Sequence, residues 1–272
     1  MTWDKLLGNA WSKLSIEQIA EIFSKKNESL GRIDADLLNE FGKYQWIEDE
    51  SGDQDKLQAI FFVSVFTLLG YLAIQDGVVC SEEKKYASRF MDGLELEDRH
   101  KIIALHYFTL GTKSRYSDLE PLVTTLRNRL SRKRDLPRLF LEVLFSAAYV
   151  DGKACKKEQD VIVYIARCFN VNAYELNGIE KSAKAEQGIH SENKKQKIKE
   201  SSSITYREAL DILGVTESRD MATVRRAYRR MMSQYHPDKL ISDGLPEEMV
   251  KVATEKTIRI RKAYEFLGKK LK

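Results

Sequence analysis

Asp220 to Lys239, DMATVRRAYRRMMSQYHPDK in one-letter code, decides how this chain folds and what it presents to a partner. Val224, Ala227, Tyr228, Met231 and Tyr235 recur at steps of three, one, three and four, the spacing of one apolar stripe on a helix. Arg225, Arg226, Arg229 and Arg230 fall on the other side and stack into a basic ridge. Pro237 lacks an N–H and disfavours the helical region for His236, so the helix is expected to end there. A second helical pattern runs from about Pro246 to Phe266, after a short loop containing Asp243 and Gly244. Two antiparallel helices would then carry an imidazole, a fixed bend and a carboxylate at their joining loop, beside four guanidinium groups. Such a surface suits docking on an acidic partner better than bond chemistry.

Further blocks flank that stretch. Tyr206-x-x-x-Leu210-x-x-Leu213-Gly214-Val215 precedes it, and Lys262-Ala263-Tyr264-Glu265-Phe266-Leu267 follows it. With Val224 to Arg229 and His236-Pro237-Asp238-Lys239, four blocks in order resemble the J domain of DnaJ-type co-chaperones. A helical hairpin with a Pro-terminated turn explains one block, not the coincidence of four. The resemblance implies that His236, Pro237 and Asp238 trigger ATP hydrolysis on a DnaK-type chaperone. It implies that Arg225, Arg226, Arg229 and Arg230, extended by Lys239, dock on an acidic surface of that partner. Tyr206, Leu210, Leu213, Tyr228, Ala263 and Tyr264 would hold the domain together as core.

The 272 residues suggest two domains, and 43% hydrophobic with 32% charged residues describes an ordinary globular chain. Few prolines and no long period-two run of β-branched residues favour an all-α fold. The net charge of +4 is unevenly placed: from Ser203 onward fifteen basic face ten acidic side chains, leaving the remainder slightly acidic. An acidic partner for the C-terminal module follows. Cys80, Cys155 and Cys168 show no paired spacing, the pattern of a reducing compartment. His100 and His106, six residues apart, do not converge on one side of a helix, and no metal or cofactor is expected. The start of the chain has no apolar core of a secretory signal.

Residues 1–52 read as a helical N-terminal segment, with caps at Ser15 and Asp34. Leu57 to Gln75 is nineteen consecutive uncharged residues, long enough for a membrane span. An internal repeat argues otherwise. Ala73 to Cys80 with Glu83 recurs 75 residues later as Ala148 to Cys155 with Glu158, around Asp76-Gly77 and Asp151-Gly152. Each copy follows an apolar helix and precedes an amphipathic one, Lys84 to Met91 and Gln159 to Phe169. The apolar helix of the second copy carries Arg138 and Glu142, so both are expected to be buried core helices rather than spans. Asp-Gly between helices is read as structural, because Gly takes the left-handed cap conformation and Asp tolerates the turn. Glu83 and Glu158 would then sit in a first turn and suit the helix dipole. A cation site at these loops is disfavoured, since calcium takes six or more oxygen ligands and the carboxylates are too few.

The duplicated unit resembles the TerB-like (tellurite-resistance) domain, over residues 53–179. Its pairing with a J domain at 204–272 resembles the DjlA family of bacterial co-chaperones, as do Leu240-Ile241-x-x-Gly244-Leu245-Pro246 and Arg138 to Glu142. That family begins with a Gly-rich transmembrane helix, whereas residues 1–50 here carry charges every few positions, so no stable membrane insertion is expected. Residues 180–203 hold no aromatic side chain and are dominated by Lys, Glu, Ser, Gln and Asn, the composition of a flexible linker. The expected protein is a cytoplasmic co-chaperone, with peripheral inner-membrane association compatible with the family and an unknown client or partner on its N-terminal domain. It has no phosphate-binding Gly-x-x-x-x-Gly-Lys loop and no nucleophile–base pair, so it is not read as an enzyme. Nucleic-acid binding by the arginine helix would want aromatic or amide readers beside the arginines, and the outward face offers almost none. A stress- or metal-responsive scaffold built on the TerB-like domain is the competing reading.

Overall fold

The computed structural model describes residues 53–75, 87, 89–96, 98–150, 152–195, 204–216 and 220–271. All regular structure among them is helical. Helix α1 runs Asp53–Leu72, α2 Asp98–Lys113, α3 Tyr116–Leu130, α4 Asp135–Ala148, α5 Lys156–Cys168 and α6 Ala173–Lys195. They are followed by α7 Tyr206–Ile212, α8 Met221–Gln234, α9 Pro237–Asp243, a 3-10 turn at Glu247–Met249 and α10 Val250–Lys270. The expectations at Ser15, Asp34, Asp76, Gly77, Cys80, Glu83 and Asp151, and for the segment 1–52, lie outside the described residues.

From Ile60 onward, helix α1 is almost wholly apolar because it is buried all round. Ile60, Phe61, Val65, Phe66, Leu68 and Leu69 are inaccessible, and so are Ser64 and Thr67. Thr67 satisfies its hydroxyl by donating to the Val63 carbonyl at 2.8 Å. The partner helix α2 lies backbone to backbone against it. A methyl at Gly70 would sit 1.9 Å from the Phe108 carbonyl oxygen, and one at Gly111 equally close to that of Thr67. Helix α4 completes the centre with Leu136, Leu139, Phe140 and Leu144, and the Phe61 and Phe140 rings meet edge to face at 5.3 Å. Among the described residues no helix is long and apolar enough to cross a membrane.

In the C-terminal part, α7, α8 and α10 pack around Leu210, Leu213, Val224, Ala227, Met231, Ile260, Ala263 and Leu267, all buried. Tyr228 and Tyr264 are half-buried and stack with centroids 4.3 Å apart, and Tyr206 packs at the edge of the core. Leu210, Leu213 and Ala263 thus lie inside, with the three tyrosines at the rim.

Two expectations need correction. The segment 180–203, read as a flexible linker, continues α6 as a helix to Lys195, and residues 196–203 lie outside the described residues. Composition misled because the buried side chains of this stretch are small or charged: Ser182, Ala183, Ala185 and Glu186. Alanine is the best helix former, and small side chains let α6 lie close on both α4 and α7. The loop after His236 is likewise a helix, α9, about two turns long. Pro237 occupies its first position, Gly244 closes it with φ +107°, and the Leu245 N–H donates to the Leu240 carbonyl at 2.8 Å. The following helix therefore starts at Val250 rather than near Pro246.

Candidate functional site

Pro237 forces His236 into extended backbone, φ −63° and ψ 125°, which makes His236 the N-cap of α9. Its Nδ1 accepts from the Asp238 N–H at 3.2 Å, so in the neutral ring the proton sits on Nε2. The His236 side chain is 51% exposed and that of Asp238 is 89% exposed. A donor ring edge and a highly exposed carboxylate thus stand one residue apart on a corner fixed by proline. Tyr235, immediately before it, is buried.

Helix α8 approaches this corner with Arg225, Arg226, Arg229 and Arg230 exposed along one side. Asp220 caps it, accepting from Ala222 and Thr223 N–H groups at 2.9 and 3.0 Å, and these bonds hold its carboxyl below the usual range. Arg226 donates to the Thr223 hydroxyl at 3.1 Å. Arg230 reaches back to the Leu213 and Gly214 carbonyls at 3.4 and 3.5 Å, tying the ridge to the end of α7. Lys239, expected to extend the ridge, is exposed but already engaged. Its ammonium is ion-paired with the buried carboxylate of Asp135, at the start of α4.

That pairing is one of several across the two halves of the chain. Lys133 meets Asp243 at 3.3 Å, His100 meets Glu248 at 3.1 Å, and Lys251 meets Glu95 at 2.5 Å. At the centre, Lys256 of α10 is enclosed by Glu142 of α4 and by Glu186 and Ser182 of α6, the last two at 2.5 and 2.8 Å. Arg259 holds the other oxygen of Glu186 at 2.7 Å, and Lys256 lies 5.3 Å from the centre of the Tyr235 ring. Burial pushes Glu142 up, and Lys256 offsets only part of that. Burial also pushes Glu186 up, but Lys256 and Arg259 together outweigh it and leave its carboxyl below the usual range. Lys256 is pushed down by burial and raised more by its two carboxylates, so it stays charged. Sequence reading missed this cluster. Its one signal was a lysine on the apolar stripe of α10, between Ala253 and Ile260.

At the repeat loop, Gly152 has φ +97° and its N–H donates to the Tyr149 carbonyl at 2.9 Å. The cap of α5 is Cys155: Glu158 reaches back to the Cys155 N–H at 2.6 Å, while the Glu158 N–H donates to the Cys155 sulfur at 3.4 Å. Glu158 therefore serves its own helix. Cys155 and Cys168 are free thiols.

Residues 208–272 match the DnaJ domain family, and residues 62–181 match the tellurite resistance protein TerB family. The co-chaperone protein DjlA of Coxiella burnetii is 32% identical over 229 residues, which cover 83% of this chain and 84% of that one. DjlA of Salmonella typhimurium is 32% identical over 79% of this chain and 81% of its own. DjlA of Escherichia coli K12 is 30% identical, with the same coverage. No solved structure matches the chain.

Proposed function

Because the chain belongs to the DjlA family of J-domain co-chaperones, we propose that it docks on a DnaK-type chaperone through the α8 ridge and triggers that partner's ATP hydrolysis with His236, Pro237 and Asp238. As a J-domain protein it is not itself an enzyme. The exposed corner at the N-cap of α9, beside four exposed arginines, is the observation that carries the division of labour. Guanidinium groups on one helix steer the encounter with an acidic surface and fix its register. The Asp238 carboxylate forms a charge-assisted bond with a partner arginine once docking excludes water, and the His236 ring donates from Nε2. Pro237 keeps both at a fixed spacing. The TerB-like part, residues 53–179, serves as the client or partner module, the J domain spans 204–272, and the protein works in the cytoplasm with the chaperone.

Single-turnover ATP hydrolysis by a DnaK-type chaperone, with and without the full chain, tests this reading. The chain is expected to accelerate hydrolysis in a saturable way. No acceleration at any concentration would refute it.

A further inference from the structure

We propose that the basic turn of the TerB-like part, residues 127–134, belongs to the surface that docks on the DnaK-type chaperone, so that the docking face spans both domains. The inference rests on the function proposed above and adds a second set of contacts to it. Arg127 and Arg129 in the last turn of α3, and Arg132, Lys133 and Arg134 in the link to α4, crowd together here. Arg127, Arg132 and Arg134 are exposed. The acidic side chains beside them are already engaged: Asp135 with Lys239 and Arg138, Glu175 with Arg138, and Asp243 with Lys133. The turn therefore keeps a local excess of positive charge.

Its position follows from the same pairs. Asp135 grips Lys239 in the first turn of α9, and Lys133 grips Asp243 at the last. Leu57 also closes on Gly244, where a methyl would meet the Leu57 side chain at 2.5 Å. The basic turn thus runs alongside α9, whose N-cap is His236. Seven residues of helix span about 10 Å. An ordinary interface covers about 800 Å² per partner, so a chaperone seated on His236 and Asp238 reaches the turn as well. A cleft of about 510 Å³ between Arg132 and Ser242–Asp243 leaves room there for acidic side chains. The turn and the α8 ridge call for the same chemistry, carboxylate-bearing protein, and the pins keep them in register.

Stopped-flow association of the full chain with the ATP-bound chaperone, wild type against Arg132→Glu with Arg134→Glu, decides the matter. About tenfold slower association is expected at low ionic strength, shrinking with added salt, with maximal ATPase stimulation unchanged. Arg132→Ala with Arg134→Ala gives a smaller slowing in the same direction. Lys156→Glu with Lys157→Glu makes the same net change at exposed positions of α5 and leaves association within about twofold if the effect is local. Unchanged association in the Arg132/Arg134 reversal, or equal slowing by the Lys156/Lys157 control, overturns the proposal. It is equally overturned if the reversal leaves chaperone association intact but abolishes binding to phosphatidylglycerol-containing vesicles or to RNA. A wild type that never associates removes the function proposed above, an outcome distinct from normal binding by wild type and variant alike.

Discussion

Gly244 and Gly152 show how single residues set the geometry around the site. Gly244 combines φ +107° with contact against Leu57, so any side chain there meets both backbone strain and the other half of the chain. Gly244→Ala is expected to cost about 2 kcal/mol in urea unfolding. An unchanged midpoint would show that α9 is not held by this contact. Gly152, with φ +97° and open space around it, isolates the backbone effect. Gly152→Val should lower the melting temperature, while Gly152→Asn should recover part of the loss, because Asn tolerates positive φ far better than a β-branched residue. Equal melting temperatures for the two variants would contradict the structural reading of the Asp-Gly loop. At this scale the His236-Pro237-Asp238 corner was readable from chemistry alone. Proline dictates its own φ and its neighbour's, wherever the rest of the chain goes.

Among the elements, α8 could be read from sequence because its stripe has helical period and its opposite side is uniformly basic. The short α9 could not, although a capping His236, Pro237 at the first position and Gly244 after the end are start and stop signals. Seven residues give too few repeats for periodicity to register. The Lys256 cluster joins residues 114 and 70 positions apart, which no local pattern can reveal. Lys256→Met should be strongly destabilising, about 3–5 kcal/mol, because it strands the buried Glu142 carboxylate and leaves Glu186 with Arg259 alone. Lys256→Met combined with Glu142→Gln and Glu186→Gln should recover much of that. A loss under about 1 kcal/mol in Lys256→Met would mean that the cluster is not closed in solution. Acid should weaken it. Glu186 has a lowered folded pKa, so its contribution is present above the unfolded carboxyl range and is lost as pH falls through the folded value. Glu142 has a raised folded pKa and works oppositely, weakening the fold as pH rises from the unfolded carboxyl range through its folded value. Urea titrations from pH 3 to pH 8 should therefore show Glu186→Gln losing the acid-sensitive part of stability. Glu142→Gln should cost less at neutral pH than Glu186→Gln, and the reverse order would contradict this account.

In the whole molecule, composition suggested two domains joined by a flexible linker at 180–203. The structure instead lays α6 against both α4 and α7 and pins α9 and α10 to the TerB-like part. Thermal unfolding is expected to be one cooperative transition, and trypsin should spare Lys181 and Lys184 in the native chain. First cuts at either lysine, or two separate transitions, would restore the tethered picture. The consequence for function is that the trigger and the ridge are presented from one body. On the function proposed above, these two carry different steps. Single-turnover ATP hydrolysis by a DnaK-type chaperone at saturating co-chaperone tests it most directly. His236→Gln should leave hydrolysis at the unstimulated rate at every concentration, with circular dichroism unchanged, because the ring is exposed and caps only a short helix. Arg226→Glu with Arg229→Glu should need a higher concentration but regain part of the stimulation. Full stimulation by His236→Gln would contradict the account.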